Sequence, residues 1–152
     1  MRILQVVPGS DPELARTLLE IQHAAYTLEA SLILDDRIPA LHEDVDDLRS
    51  AQLLWLAALV DGRLVGAVGW SENEEELDVD RLVVAPDMHR HGVGSALVRA
   101  VLQRAGQRRT VVSTGCNNIP AKIMYEHLGF VRVEDEEVIP GLWVTRYRWT
   151  AA

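Results

Sequence analysis

The sequence predicts one α+β domain, residues 1–152, in which a mixed, mostly antiparallel sheet is flanked by helices. Three observations predict this fold class. Apolar segments flank a two-residue hairpin signal at Asp61-Gly62, which indicates consecutive antiparallel strands. A strand at 77–85 then runs through a glycine-containing turn into a helix over about 92–106. After a further strand and helix, the chain ends in another hairpin. The predicted order is β-α-α-β-β-β-α-β-α-β-β.

The first third of the chain contains one strand and two helices. Residues 3–7 have enough β-branching for a short strand, which Pro8-Gly9 ends. Ser10-Asp11-Pro12-Glu13 matches a capping box with proline in the first turn, and apolar residues recur on one face of the helix that follows. Residues 43–48 predict a short acidic helix. Residues 23–50 carry no functional motif.

The remaining elements alternate between strands and helices. Asn117-Asn118 and Pro120 predict the start of a helix that Gly129 ends. Residues 139–142 predict the turn of the closing hairpin. The strands are predicted at residues 53–60, 64–70, 77–85, 110–114, 130–133 and 143–149.

Composition excludes several function classes. A net charge of −8 argues against nucleic acid as a main partner, because phosphate backbones are bound by basic patches. No apolar run approaches the roughly 20 residues that a membrane span needs, and the N-terminal apolar run is too short for a signal peptide. The one cysteine, Cys116, precludes an internal disulfide and a cysteine-based metal cluster. We expect a cytoplasmic protein with no membrane partner and no metal.

The turn after the strand at 77–85 has the chemistry of an anion site. The first amides of a helix lack internal partners and carry partial positive charge, and glycines such as Gly92 and Gly94 allow a phosphate to approach them. Arg90, between His89 and His91, adds positive charge. These residues alone leave two interpretations open, a phosphate site and a plain glycine turn.

Two motifs resemble the Gcn5-related N-acetyltransferase (GNAT) superfamily. His89-Arg90-His91-Gly92-Val93-Gly94 stands in place of the family's Gln/Arg-x-x-Gly-x-Gly/Ala acetyl-CoA motif, with His89 where Gln or Arg is usual. Residues 118–130 are similar to its Asn-x-x-Ala-x-x-Leu-Tyr-Glu-x-x-Gly-Phe signature, and Asp61-Gly62 lies in the family's usual place. The resemblance covers essentially the whole chain and implies a GNAT-like fold.

The resemblance implies acetyl-CoA as acetyl donor. Backbone groups of the strand would pair with the pantetheine arm, and amides at the helix start would hold the pyrophosphate. Asn118 would hydrogen-bond the pantetheine, and Tyr125 would lie near the thioester sulfur as candidate general acid; helical spacing alone favours a core tyrosine instead. The implied cofactor-binding residues are Leu82, Val83, Val84, His89, Arg90, His91, Gly92, Val93, Gly94, Ser95, Asn118 and Tyr125.

The general base is less defined. An alkyl ammonium has a pKa of about 10.4, so a base or a water chain must take its proton. Asp78 and Asp80 are candidates: they alternate with apolar residues and, in a regular strand, would share a face with Leu82 and Val84. A solvated strand end is the alternative. Ser113 stands where some family members that acetylate protein N-termini carry a glutamate base.

We therefore expect an N-acetyltransferase that moves the acetyl group of acetyl-CoA directly to a primary amine of a small molecule. Ser113 and the acidic segments 43–47 and 72–80 favour a small cationic acceptor over a protein. A non-catalytic acyl-CoA-binding or sensor module, a protein N-terminal or lysine acetyltransferase, and a plain phosphate or nucleotide binder are the alternatives. Dimers are common in the family, which leaves a homodimer open.

Overall fold

The strands and helices follow the order that the sequence predicts. The computed structural model describes residues 1–151. The strands are β1 (Arg2–Val6), β2 (Leu54–Val60), β3 (Arg63–Glu72), β4 (Glu76–Val84), β5 (Arg109–Gly115), β6 (Val131–Ile139) and β7 (Leu142–Trp149). The helices are α1 (Pro12–Ile33), α2 (Val45–Ser50), α3 (Val93–Ala105) and α4 (Ile119–His127). Short 3₁₀ turns occupy Pro8–Ser10, Pro39–His42 and Pro86–Met88.

All seven strands form one sheet in the order β1-β2-β3-β4-β5-β7-β6. Neighbouring strands are antiparallel except β4 and β5, which are parallel. Helices α3 and α4 contribute to the core on one face, and α1 and α2 contribute to the core on the other. The predicted fold class, a mixed and mostly antiparallel sheet flanked by helices, is confirmed. No helix within residues 1–151 is long and apolar enough to cross a membrane.

The parallel pair β4 and β5 diverges halfway along its length. Pairing runs from Glu76–Arg109 to Val79–Val112 and ends there, although β4 continues to Val84 and β5 to Gly115. A β-bulge lies at the point where the pairing ends. Val79 and Arg81 pair with consecutive residues of β3, so Asp80 is the extra residue of the bulge. A bulge bends its strand and leaves the extra residue unpaired. The divergence opens a cleft in the middle of the sheet.

The bulge also corrects one prediction about β4. Leu77 and Val79 belong to the core under α3, and Leu82 and Val84 pack against that same core. Asp78, which lies between Leu77 and Val79, therefore points to the opposite face. The expectation that Leu82 and Val84 share a face with Asp78 is wrong, since it required a regular alternation that the extra residue at Asp80 interrupts.

The structure fixes the bounds of α1, for which the sequence predicts no end, and shows that β6 is longer than predicted. Helix α1 runs to Ile33, and its N-cap is Asp11, whose side chain accepts from the Leu14 N–H at 3.1 Å. Strand β6 runs on from residue 133 to Ile139. Its acidic residues have low strand propensity, but cross-strand partners on β7 compensate: Thr145 Oγ1 donates to Asp135 at 2.8 Å, and Arg146 pairs with Glu136.

Candidate functional site

A cavity of about 370 Å³ lies where β4 and β5 diverge. Its walls come from α1, the Pro39–His42 turn, both diverging strands, α4 and the β6–β7 hairpin. The edge of β4 from residue 80 to Val84 that faces β5 has no strand partner within residues 1–151. Its backbone groups are therefore available to an added extended chain. Of the predicted residues here, Leu82 and Val84 are half-buried and Val83 is buried.

The start of α3 lies beside this open edge. Gly92 is the N-cap with φ of 76°, and it provides no side-chain cap. The Ala96 N–H makes a helical bond to the Gly92 carbonyl at 3.0 Å, so the amides of residues 93–95 lie ahead of the helix's own hydrogen bonds. Such amides, with the helix dipole, favour an anion. His89, Arg90 and His91 are exposed in the preceding turn.

Gly94 lies in a narrow gap between α3 and β4. A Cβ at this position would lie 3.3 Å from Met124 Sδ and 3.7 Å from the side chains of Leu82 and Val84. The backbone of α3 therefore approaches β4 and α4 closely without a side chain in between. The sequence predicts an anion site at this turn. In the structure, the turn lies beside the open edge of β4.

Asn118 and Tyr125 meet at the opposite wall of the cavity. Asn118 is the N-cap of α4, and its side chain accepts from the Ala121 N–H at 3.3 Å. Tyr125 is buried, with its ring centroid 5.4 Å from Phe130 and 6.0 Å from Tyr147. Burial, and then the charge of Glu29, raise the pKa of the Tyr125 phenol. The hydroxyl therefore keeps its proton at neutral pH and is a possible donor.

The two predicted bases are separated by the structure. Asp80 lines the cavity, but its carboxylate accepts from Arg81 Nε at 2.7 Å and half of the side chain is exposed. Asp78 is exposed and lies outside the cavity lining. Partial desolvation, followed by the charges of Glu76 and Asp80, raises the pKa of Asp78. A catalytic role for either residue stays a prediction.

A polar network closes the cavity on the α1 side. Arg81 pairs with both Asp80 and Glu43 and stacks over Trp55, with its Cζ 5.9 Å from the ring centroid. Gln22 Nε2 donates to the Ala40 carbonyl at 2.9 Å and to Glu43 at 3.0 Å. The network fixes α1, the Pro39–His42 turn and the bulged part of β4 to one another.

Glu29 is a site residue that the sequence patterns missed. It lines the cavity from the last part of α1, with Tyr26 one turn before it. Burial raises the pKa of its carboxyl group, and polar contacts with the Asn118 side chain and the Gly115 backbone oppose that shift. The spacing along α1 could have indicated it. Leu18, Gln22 and Glu29 lie on one face of the helix, so two polar residues interrupt its inward-facing apolar stripe.

The described part of the chain contains no group of three or more His, Cys, Asp or Glu residues that could hold a metal ion. The polar groups that line the cavity are carboxylates, guanidinium groups, tyrosine, serine and threonine hydroxyls, an amide and backbone groups. These groups suit proton transfer and hydrogen bonding to an organic ligand.

Comparison with known proteins identifies the relatives of this architecture. A sequence model of the acetyltransferase (GNAT) family matches residues 15–130. The UPF0157 protein YqkA of Bacillus subtilis is 32% identical over 141 residues, which are 92% of this chain and 41% of that protein. The N-acetylaspartate synthetase of Xenopus tropicalis is 30% identical over 130 residues, which are 77% of this chain and 48% of that protein. The chain thus spans less than half the length of these two relatives.

A solved structure shares the whole fold. An aminoglycoside 6'-N-acetyltransferase in complex with coenzyme A superimposes with a TM-score of 0.75 at 17% identity, covering 99% of this chain and 97% of that one. At this identity the likeness concerns the fold alone.

Proposed function

The chain belongs to the acetyltransferase (GNAT) family, and we propose that it transfers the acetyl group of acetyl-CoA directly to a primary amine of a small molecule. One observation carries the proposal. The divergence of β4 and β5 leaves an unpaired strand edge that has a helix N-terminus on one side and, on the other, a half-open cavity lined by polar and apolar side chains. A long ligand with an anionic part and a reactive end fits such a cleft.

The donor half of the cleft suits acetyl-CoA. We assign the pyrophosphate to the amides of residues 90–95, with His89 beside them, and the pantetheine arm to the backbone of residues 82–84 and to Asn118. The close approach at Gly94 supports this assignment, because it brings the start of α3 beside the open edge of β4, and a larger side chain there would push the two elements apart. Bound acetyl-CoA supplies a thioester, whose carbonyl carbon accepts the amine.

Tyr125 is the proposed general acid. The acceptor nitrogen forms a bond to the thioester carbon, the carbon–sulfur bond breaks, and the departing thiolate needs a proton. The Tyr125 hydroxyl keeps its proton because its surroundings disfavour a phenolate, and its position in the cavity wall lets it donate that proton. A backbone N–H of the open edge near Val84 is assigned to the oxyanion of the tetrahedral intermediate.

The acceptor is proposed to be a small amine or an amino-acid-like molecule. Support comes from the size of the cavity and from carboxylates in its wall, which attract an ammonium group. The name of the relative N-acetylaspartate synthetase points to an amino-acid acceptor for that protein. A cytoplasmic location and a homodimer stay predictions.

A coenzyme-A release assay tests this proposal. The protein is mixed with acetyl-CoA and a panel of alkyl monoamines, diamines, aminoglycosides, amino acids and short peptides, and the free thiol is measured. We expect turnover with at least one small amine. Tight binding of acetyl-CoA without turnover on any amine would instead favour the non-catalytic sensor module. Turnover confined to peptides would favour a protein acetyltransferase.

A further inference from the structure

Glu29 is a carboxylate in the cavity wall without a cationic partner. It is half-buried, and none of the ion pairs formed within residues 1–151 includes it. The other carboxylates that line the cavity, Glu43 and Asp80, both pair with Arg81. In the described part of the chain, Glu29 therefore provides the uncompensated negative charge of the cavity.

None of the groups around Glu29 in the cavity neutralises its charge, so the carboxylate is available to a cationic ligand. The titratable and charged residues that line the same cavity are Tyr26, Arg37, Glu43, Asp80, Arg81 and Tyr125. Burial raises the pKa of both tyrosines, so they stay neutral. Arg37 is held by Asp35, with its Nη2 2.6 Å from that carboxylate. The nearest polar contacts of Glu29, the Asn118 side chain and the Gly115 backbone, are uncharged.

We infer that Glu29 binds the ammonium group of the acceptor and takes its proton before acetyl transfer. The cavity then selects primary ammonium ions as its class of substrate. This inference rests on the proposed function and assigns the base that the sequence left undecided between Asp78, Asp80 and water. Geometry carries it: Glu29 shares the cavity with Tyr125, the proposed acid, while Asp78 lies outside it.

The proton balance of the reaction is complete with these two residues. Glu29 takes one proton from the ammonium ion, which frees the nitrogen lone pair to attack the thioester carbon. The tetrahedral intermediate loses a second proton from nitrogen to water as the carbon–sulfur bond breaks. Tyr125 gives its proton to the thiolate and recovers one from water, and Glu29 then passes its proton to solvent. The ammonium ion has then lost two protons, the thiol has gained one, and one is released to solvent.

Glu29→Gln tests the inference, with Glu20→Gln on the exposed side of the same helix as matched control. We expect kcat/KM for the best amine of the panel to fall by about 10²–10⁴-fold near neutral pH. In the unmutated protein, kcat/KM should rise with pH through an acid limb. Glu29→Gln should lose that limb and gain activity toward the amine pKa of about 10.4, because only neutral amine then reacts. Glu20→Gln should keep the original profile.

Glu29→Asp separates the chemistry from folding. Aspartate keeps the carboxylate, but its side chain is one methylene shorter. We therefore expect the acid limb of the pH profile to remain, with kcat/KM reduced by about tenfold or more. Acetyl-CoA affinity, measured by calorimetry, should stay within about twofold in every variant that folds. If Glu29→Gln does not fold, Glu29→Asp decides, and full activity in that variant overturns the inference.

The outcomes distinguish the inference from the proposed function. Turnover by the unmutated protein, combined with an unchanged pH profile and kcat/KM in Glu29→Gln, overturns the role of Glu29 alone. Absence of turnover by the unmutated protein, with acetyl-CoA bound, overturns the proposed function whatever the variants do. A uniform loss of activity in Glu29→Gln that keeps the acid limb shows a structural role and also overturns the inference.

Discussion

The two halves of the cleft between β4 and β5 are built from different kinds of atoms. The half that we propose for the acetyl donor, at the start of α3, offers mainly backbone groups, the amides of residues 93–95 and the open edge of β4, with the Asn118 side chain across from them. The acceptor half, under α1, consists of side chains: Glu29, Arg81 and Tyr125 come from three separate elements. A backbone site needs particular local conformations, whereas a side-chain site needs distant segments to meet. The two halves should therefore respond to different substitutions.

The largest expected effect is at Tyr125, where the halves meet. Tyr125→Phe keeps the ring that packs against Phe130 and Tyr147 and removes only the hydroxyl. We expect kcat to fall by about 10²–10⁴-fold, with acetyl-CoA affinity within about twofold, because a lost general acid affects the transition state alone. Steady-state kinetics and calorimetry measure the two quantities. Unchanged turnover would exclude Tyr125 as the acid.

Gly94→Leu should damage the donor half selectively. A side chain here extends toward Met124, Leu82 and Val84 and occupies the gap beside the strand edge. We expect the Kd for acetyl-CoA to rise by about 10²-fold, equivalent to roughly 2.7 kcal/mol. The larger side chain also has to displace Met124, Leu82 or Val84, so we expect a loss of about 1–3 kcal/mol in the free energy of unfolding, and Kd is measured on protein shown to be folded.

Gly94→Ala provides the matched control for this position. Its Cβ would meet chiefly the flexible end of Met124, at 3.3 Å, and a small shift of the sulfur relieves the contact. The change in Kd should therefore be below about threefold. Equal affinities in Gly94→Leu and Gly94→Ala would show that acetyl-CoA does not use this gap.

The same contrast explains which parts of the site the sequence predicted. A backbone site depends on residues close together in the chain, so Gly92, Gly94 and the N-cap Asn118 indicate the donor half from the sequence alone. The order of elements followed from hydrophobic periodicity and turn residues in the same way. Helical spacing with Leu18 and Gln22 places Glu29 on the inward face of α1. The role proposed for it, however, depends on α1 lying across the divergence of two strands far along the chain, which no local pattern shows. Nor did the sequence reveal the bulge at Asp80, which depends on pairing with β3.

The ion pairs of two arginines, one at each half, extend the comparison to stability. Arg81 connects Glu43 and Asp80 with only 10% of its side chain exposed, whereas Arg63 and Asp87, beside the donor half, are 55% and 62% exposed. Arg81→Met leaves Glu43 without its partner in a shielded place, so we expect a loss of about 2 kcal/mol in the free energy of unfolding. Arg63→Met should cause no measurable loss, because solvent screens the pair. Urea denaturation checks both, and equal losses would contradict the distinction.

The smallest expected effect is a gain in stability at the acceptor half. Burial raises the pKa of Glu29 above its ordinary value, so the folded state binds its proton more tightly than the unfolded state does. Between the unfolded and folded pKa values the folded state holds the extra proton, and stability therefore falls as pH rises through that window. Below this pH window the carboxyl group is protonated in both the folded and the unfolded state, so it does not lower the free energy of unfolding. Glu29→Gln should thus raise the melting temperature by a few degrees near neutral pH and leave it unchanged at about pH 4. A lower melting temperature of Glu29→Gln near neutral pH would mean that the carboxylate stabilises the fold. Glu29 would then have a structural role in the acceptor half.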